Sequence, residues 1–146
     1  MIFRKILKED IEACSELFAQ VFSSAPWNEP WDINSAHERL FHFYQSKGFI
    51  GIVAEHNGIA GFALGNTEPF HFGSLFYLRE MCTHTNLQSK GIGSDILHAL
   101  EQELSLNKVN SIYLTTEREI PAADFYTKKG FKYSDKMGFY AKRTNV

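Results

Sequence analysis

Apolar residues along this chain follow two spacings, and the changes between them divide the sequence into helices and strands. An apolar-rich run at residues 2–7 has the length of a strand and suits a sheet edge. The period then lengthens. Ile11, Cys14, Leu17, Phe18, Val21 and Phe22 recur at three- and four-residue steps behind Asp10, a candidate N-cap. Pro26 and Pro30 end that helix and leave residues 23–32 irregular, with Trp27, Glu29 and Trp31 in the break. Ile33, Ala36, Leu40, Phe43 and Tyr44 form a second helical stripe, with Gly48 as its stop.

The middle of the chain turns to strand composition. Residues 49–55 are apolar and β-branched, Asn57-Gly58 is a strong hairpin signal, and residues 59–64 supply the partner strand. Residues 65–73, rich in Gly, Pro and His, read as a connection. Residues 75–83 are apolar on both faces, which suits an inner strand. A polar loop over residues 84–91 feeds a helix lined by Ile92, Ile96, Leu97, Leu100 and Leu104, with Asn107 as a stop. Residues 111–116 form a short strand. Pro121 opens a last helix that holds Phe125 and Tyr126 and ends at Gly130. Residues 131–133 and 139–142 read as a closing hairpin around Met137-Gly138. The expected order is β-α-α-β-β-β-α-β-α-β-β in one mixed α/β domain over residues 1–146, without repeat or linker.

Composition narrows the class. With 146 residues, 44% hydrophobic and 22% charged, the chain can build a core and is not disordered. A net charge of −2 argues against nucleic acid as the main partner, which requires a basic face. No apolar run approaches the ~20 residues of a membrane span, and the N-terminus lacks the pattern of a secretory signal. The 2 cysteines, Cys14 and Cys82, make neither a disulfide framework nor a zinc set. The 6 histidines are dispersed, so no metal is expected. A soluble cytoplasmic domain is the expectation.

The chemistry centres on Gln88-Ser89-Lys90-Gly91-Ile92-Gly93-Ser94, between a buried strand and an amphipathic helix. Glycines let the backbone turn tightly there, and the helix adds unpaired N–H groups and a positive dipole end. Such a turn binds phosphate or diphosphate. A P-loop reading fails because Lys90 precedes the glycines instead of following them. A dinucleotide fingerprint fails because Ile96 stands where a small residue is needed. The pattern Gln/Arg-x-x-Gly-x-Gly/Ala, the pyrophosphate loop of coenzyme A-dependent acetyltransferases, matches at Gln88, Gly91 and Gly93.

On these residues the chain resembles the GNAT superfamily of N-acetyltransferases. Ala122, Phe125, Tyr126, Gly130 and Phe131 supply the superfamily's Ala-x-x-Phe/Leu-Tyr-x-x-x-Gly-Phe pattern, and the element order agrees along nearly the whole chain. The resemblance implies a mostly antiparallel sheet flanked by helices, with acetyl-CoA as donor and CoA as product. It implies that the cofactor's diphosphate lies over Ser89, Lys90, Gly91, Ile92, Gly93 and Ser94, with its pantetheine arm along Met81, Cys82 and Thr83. One departure is Glu119, where the superfamily often has an Asn that contacts that arm.

The resemblance also casts Tyr126 as the acid toward the leaving sulfur, a phenol suited to that donation. Packing beside Phe125 is the alternative. Glu80 is the leading base for the amine, directly or through a water; a structural acid paired with Arg79 or with neighbours of Lys90 is the other reading. Phe22, Trp27, Glu29 and Trp31 offer aromatic faces and a carboxylate to a cationic amine. The resemblance adds the hairpin near Tyr140. The acceptor expected is a small-molecule amine. A protein or peptide amine is the alternative, as is a CoA-binding regulatory module without turnover. The resemblance allows a homodimer, though no interface is legible.

Overall fold

The computed structural model describes residues 1–145. The chain forms two compact units, Met1–Leu114 and the segment from Thr115 onward. The first contains β1 (Ile2–Lys5), α1 (Ile11–Phe22), α2 (Ile33–Gln45), β2 (Phe49–Glu55), β3 (Ile59–Phe70), β4 (Gly73–Thr83), α3 (Ile92–Leu106) and β5 (Ser111–Tyr113). The second contains α4 (Pro121–Lys128).

Five strands form one sheet in the order β1-β2-β3-β4-β5. The first four run antiparallel, and β5 joins β4 in parallel after the crossover through α3. Alternation along the inner strands buries both faces. Val53, Phe62, Leu64 and Cys82 pack into a core with Ile11, Cys14, Phe18 and Val21 of α1 and with Ala36, Leu40 and Phe43 of α2. The other face meets α3: a Cβ on Gly61 would stand 2.8 Å from Ile96 Cδ1, so glycine lets that helix approach. Among the described residues, no helix is long and apolar enough to cross a membrane.

Local sequence rules account for most boundaries. Asp32 caps α2 by accepting from the Ser35 N–H at 2.8 Å, and Ser35 Oγ accepts from the Asp32 N–H at 3.2 Å, a capping box. Asn57 and Gly58 both take positive φ (54° and 108°), as the expected hairpin turn demands. Gly130 (φ 95°) ends α4 in a Schellman motif, with Phe131 N–H donating to Tyr126 C=O and Gly130 N–H to Thr127 C=O.

Four expectations are corrected. Residues 65–70 are not a connection: β3 continues to Phe70 and turns tightly into β4. Gly65 is there because a β-bulge passes, its missing Cβ standing only 1.9 Å from Tyr77 C=O. Asp10 does not cap α1. Its carboxylate accepts from Arg4 at 2.8 and 2.9 Å and from the Leu7 N–H at 2.7 Å. Residues 131–133 and 139–142 form no strand ladder among the described residues, and β5 stops at Tyr113. A two-stranded ribbon is marginal without a face to bury, and Tyr133, Met137, Phe139 and Tyr140 of this segment are exposed.

Candidate active site

The Gln88–Ser94 turn is built from backbone. Ser89 (φ 66°) and Gly91 (φ 82°) both occupy the left-handed region, which folds the chain back on itself before α3 begins. Gly91 is the N-cap of α3, no side chain caps that end, and its C=O accepts from the Asp95 N–H at 3.1 Å. The N–H groups of Ile92, Gly93 and Ser94 therefore have no partner within the helix. The space over Gly91 is open to 4 Å. Amides in a tight turn at the positive end of a 15-residue helix fit a diphosphate in charge and shape. Gln88, Ser89 and Lys90 are exposed, and the Gln88 side chain donates to Thr83 C=O at 3.2 Å, tying turn to strand.

The strand before this turn has a free edge. The β4–β5 ladder covers Leu75↔Ser111 to Tyr77↔Tyr113, so among the described residues Met81, Cys82 and Thr83 have a strand partner only in β3. His84 N–H donates to Ala60 C=O of β3 at 2.9 Å. Antiparallel alternation then turns the main-chain groups of Met81 and Thr83 toward the open side. Those groups can pair with an extended amide-bearing arm as another strand would. Cys82 is buried and its thiol is pushed well above the ordinary range by that burial, which makes it a packing residue.

Glu80 stands three residues upstream of Thr83, on the face of β4 that meets α2. Arg79 is the extra residue of the bulge opposite the Leu64/Gly65 junction, and it shifts the alternation so that neighbouring side chains both reach α2. Glu80 Oε2 accepts from Arg39 Nε at 3.2 Å, and its side chain is only 15% exposed. Burial pushes its carboxyl up to about 7, against the opposing pull of Arg39; the nearby Glu29 adds to the rise, and Arg79 opposes it. On the structural-acid reading, the partner expected for Glu80 is Arg79 or a neighbour of Lys90. The ion pair is with Arg39 instead, because the bulge directs Glu80 toward α2.

The aromatic break is brought to the same place. Phe18 anchors it from the core, 4.7 Å from Phe22 and 4.9 Å from Trp31 between ring centroids, and Phe22 meets Trp27 at 4.8 Å. Phe22, Trp27 and Trp31 are half-buried against that core. Trp31 Nε1 donates to Glu29 Oε1 at 3.0 Å, and Arg39 lies over the rings of Trp31 and Phe43 at 5.9 and 4.9 Å. Arg39 escaped the sequence reading. It lies three residues after Ala36 and one before Leu40, on the core side of α2, and an arginine there is the signal of a buried acid opposite.

In the second unit, Tyr126 lies in the last turns of α4, with Phe125 and Phe131 at 5.3 and 5.5 Å. Glu119 is exposed in the turn before α4, and Tyr140 is 92% exposed in an irregular segment.

Two shallow surface depressions, of about 170 and 450 Å³, lie around Phe49, Ile50 and Asn107 and contain none of these residues. They border the start of β2, whereas the turn follows the Thr83 end of β4.

A family model described as an acetyltransferase (GNAT) domain matches residues 47–133. No curated protein sequence gives a significant match. The fold is similar to that of a transcriptional regulator from Bacillus halodurans C-125, with 20% identity over 97% of this chain and 99% of that one and a TM-score of 0.79. It is also similar to an aminoglycoside acetyltransferase from an uncultured soil metagenomic sample, solved with sisomicin; identity is 17%, coverage 99% and 96%, and the TM-score 0.74. AAC(6')-Iy, solved with the bisubstrate analogue CoA-S-monomethyl-acetylneamine, gives 16%, 98% of each chain and 0.74.

Proposed function

The chain belongs to the GNAT family of acetyltransferases, and from that premise we propose that it moves the acetyl group of acetyl-CoA onto the amine of a small molecule. The observation that carries this reading is the open turn before α3: two left-handed residues and three helix-opening amides with no capping side chain. In this reading the amides of residues 89–94 hold the cofactor's diphosphate. Met81 and Thr83 hold its pantetheine arm by main-chain pairing on the free edge of β4, and Gln88 keeps turn and strand together.

Bound there, acetyl-CoA supplies a thioester whose carbonyl accepts a neutral amine. Glu80, directly or through a water, takes the proton that the ammonium must lose. A carboxyl near 7 is half-ionised at neutral pH and accepts that proton better than an ordinary one. An outward N–H of β4 donates to the carbonyl oxygen as it gains negative charge. Tyr126 gives its phenolic proton to the departing sulfur, a role it takes from its motif position. Glu119 lies where the family's pantetheine-contacting Asn often stands. Phe22, Trp27, Glu29 and Trp31 form the acceptor side, and aromatic faces with a carboxylate suit a cationic amine; Tyr140 is assigned to the acceptor by the family's pattern alone.

Neighbours of this fold solved with aminoglycoside or bisubstrate ligands make a small acceptor the first to test. The two buried, unpaired cysteines suit a reducing compartment such as the cytoplasm. The test is a screen of small amines, peptides and histone-like lysine peptides for thiol release from acetyl-CoA. Release with small amines and not with peptides is expected. Release with peptides only overturns the acceptor class, and CoA binding without release to any amine overturns catalysis.

A further inference from the structure

Two arginines whose situations differ lie over the ring of Phe43 of α2. Arg39, 4.9 Å from the ring centroid, is committed to Glu80. Arg79, at 5.3 Å, makes no hydrogen bond or ion pair among the described residues. It is nonetheless fixed in place, because its guanidinium lies over the Tyr77 ring at 3.9 Å. A guanidinium stacked this way keeps its five N–H donors in its own plane and surrenders little further freedom when it binds.

We propose that Arg79 reads a carboxylate on the acceptor, so that the amine this enzyme acetylates is an amino acid or a similarly compact amino-carboxylate. The inference rests on the acetyl-transfer reading and names its substrate class. Arg79 and Glu80 are consecutive, and the bulge sends both toward α2, which places a cationic and an anionic group side by side. Glu80 and the nearby Glu29 attract the amine end of an acceptor. A simple amine or polyamine uses only that end and brings its positive charge toward the unpaired guanidinium. An amino-carboxylate uses both ends, and its carboxylate matches the planar fork of Arg79 in two parallel hydrogen bonds. The stacking on Tyr77 holds that fork in one orientation, which a mobile surface arginine lacks.

The test follows thiol release from acetyl-CoA with matched acceptors: phenylalanine against phenethylamine, ornithine against putrescine, lysine against cadaverine. Wild type, Arg79→Gln and Arg79→Lys are compared, and calorimetry with CoA verifies that each variant is folded. The expected result is at least one acid used about tenfold or more better in kcat/KM than its decarboxylated partner. That ratio falls to about one in Arg79→Gln and recovers in part in Arg79→Lys. Amines used as well as or better than the acids in every pair overturn the proposal and leave acetyl transfer intact, as does a ratio that survives Arg79→Gln. No thiol release with any acceptor, with CoA still bound, overturns both.

Discussion

Arg39 of α2 and Glu80 of β4, 41 residues apart in sequence, meet with Nε and Oε2 at 3.2 Å. The pair is half-sheltered, and the arginine does not bring the carboxyl back to its ordinary range: burial still pushes Glu80 up to about 7. Desolvation outweighs the pairing here, the usual balance for a carboxylate removed from water. Arg39 thereby holds Glu80 in one orientation while leaving it able to take up a proton near neutral pH.

The pH profile of kcat/KM should therefore show an acidic limb near 7, with activity rising as Glu80 loses its proton. Glu80→Gln should abolish that limb and lower kcat/KM by about a hundredfold to ten-thousandfold, the span of general-base contributions. Arg39→Gln removes a group that favours the ionised form, so its limb should move to higher pH. A limb unmoved in Arg39→Gln contradicts the pairing, and a limb intact in Glu80→Gln removes Glu80 as the base.

Stability should carry the same signature. The folded carboxyl of Glu80 lies above the ordinary value of 4.5, so the folded state binds this proton more tightly than the unfolded chain. The resulting stabilisation is complete below about 4.5 and is lost as pH rises through about 7. Glu80→Gln does not titrate. Its Tm relative to wild type should rise between pH 5 and pH 8, by about 5–10 °C. Parallel Tm curves for the two proteins across that interval rule this out.

Gly91→Ala puts a side chain at φ 82° with nothing within 4 Å for it to strike. The cost is conformational, about 1–2 kcal/mol, and the turn relaxes toward ordinary φ values to escape it. Affinity for CoA should fall about tenfold or more, while Tm falls only a few degrees. Calorimetry showing unchanged CoA affinity separates this glycine from the cofactor.

Tyr126→Phe removes the phenolic proton and keeps the ring that packs beside Phe125 and Phe131. Turnover should drop at least about tenfold with CoA affinity nearly unchanged. Equal turnover assigns Tyr126 to packing alone.

The helices, the inner strands and the backbone turn before α3 were legible because each depends on local signals: period, caps and glycine spacing. Asn57-Gly58 and the Gly130 cap are of this kind, and all three residues take the positive φ their turns require. What was not legible depended on residues distant in sequence. Gly65 looked like the start of a loop because a bulge is defined by two strands, and only its partner Tyr77 shows why glycine is needed there. The Arg39–Glu80 pair was missed because a charge on a core-facing helix stripe names no partner. Asp10 looked like a helix cap because its competitor Arg4 lies in another element. The 131–142 segment has the alternation of a hairpin, but alternation supplies no face to bury.

The amides between β4 and α3 are the proposed seat of the cofactor, and a residue-resolved NMR titration with CoA reads them one by one. The largest amide shifts should fall on residues 89–94, with a second set at Met81 and Thr83. Shifts centred instead on Phe49, Ile50 and Asn107, or no saturable shifts at all, contradict the account.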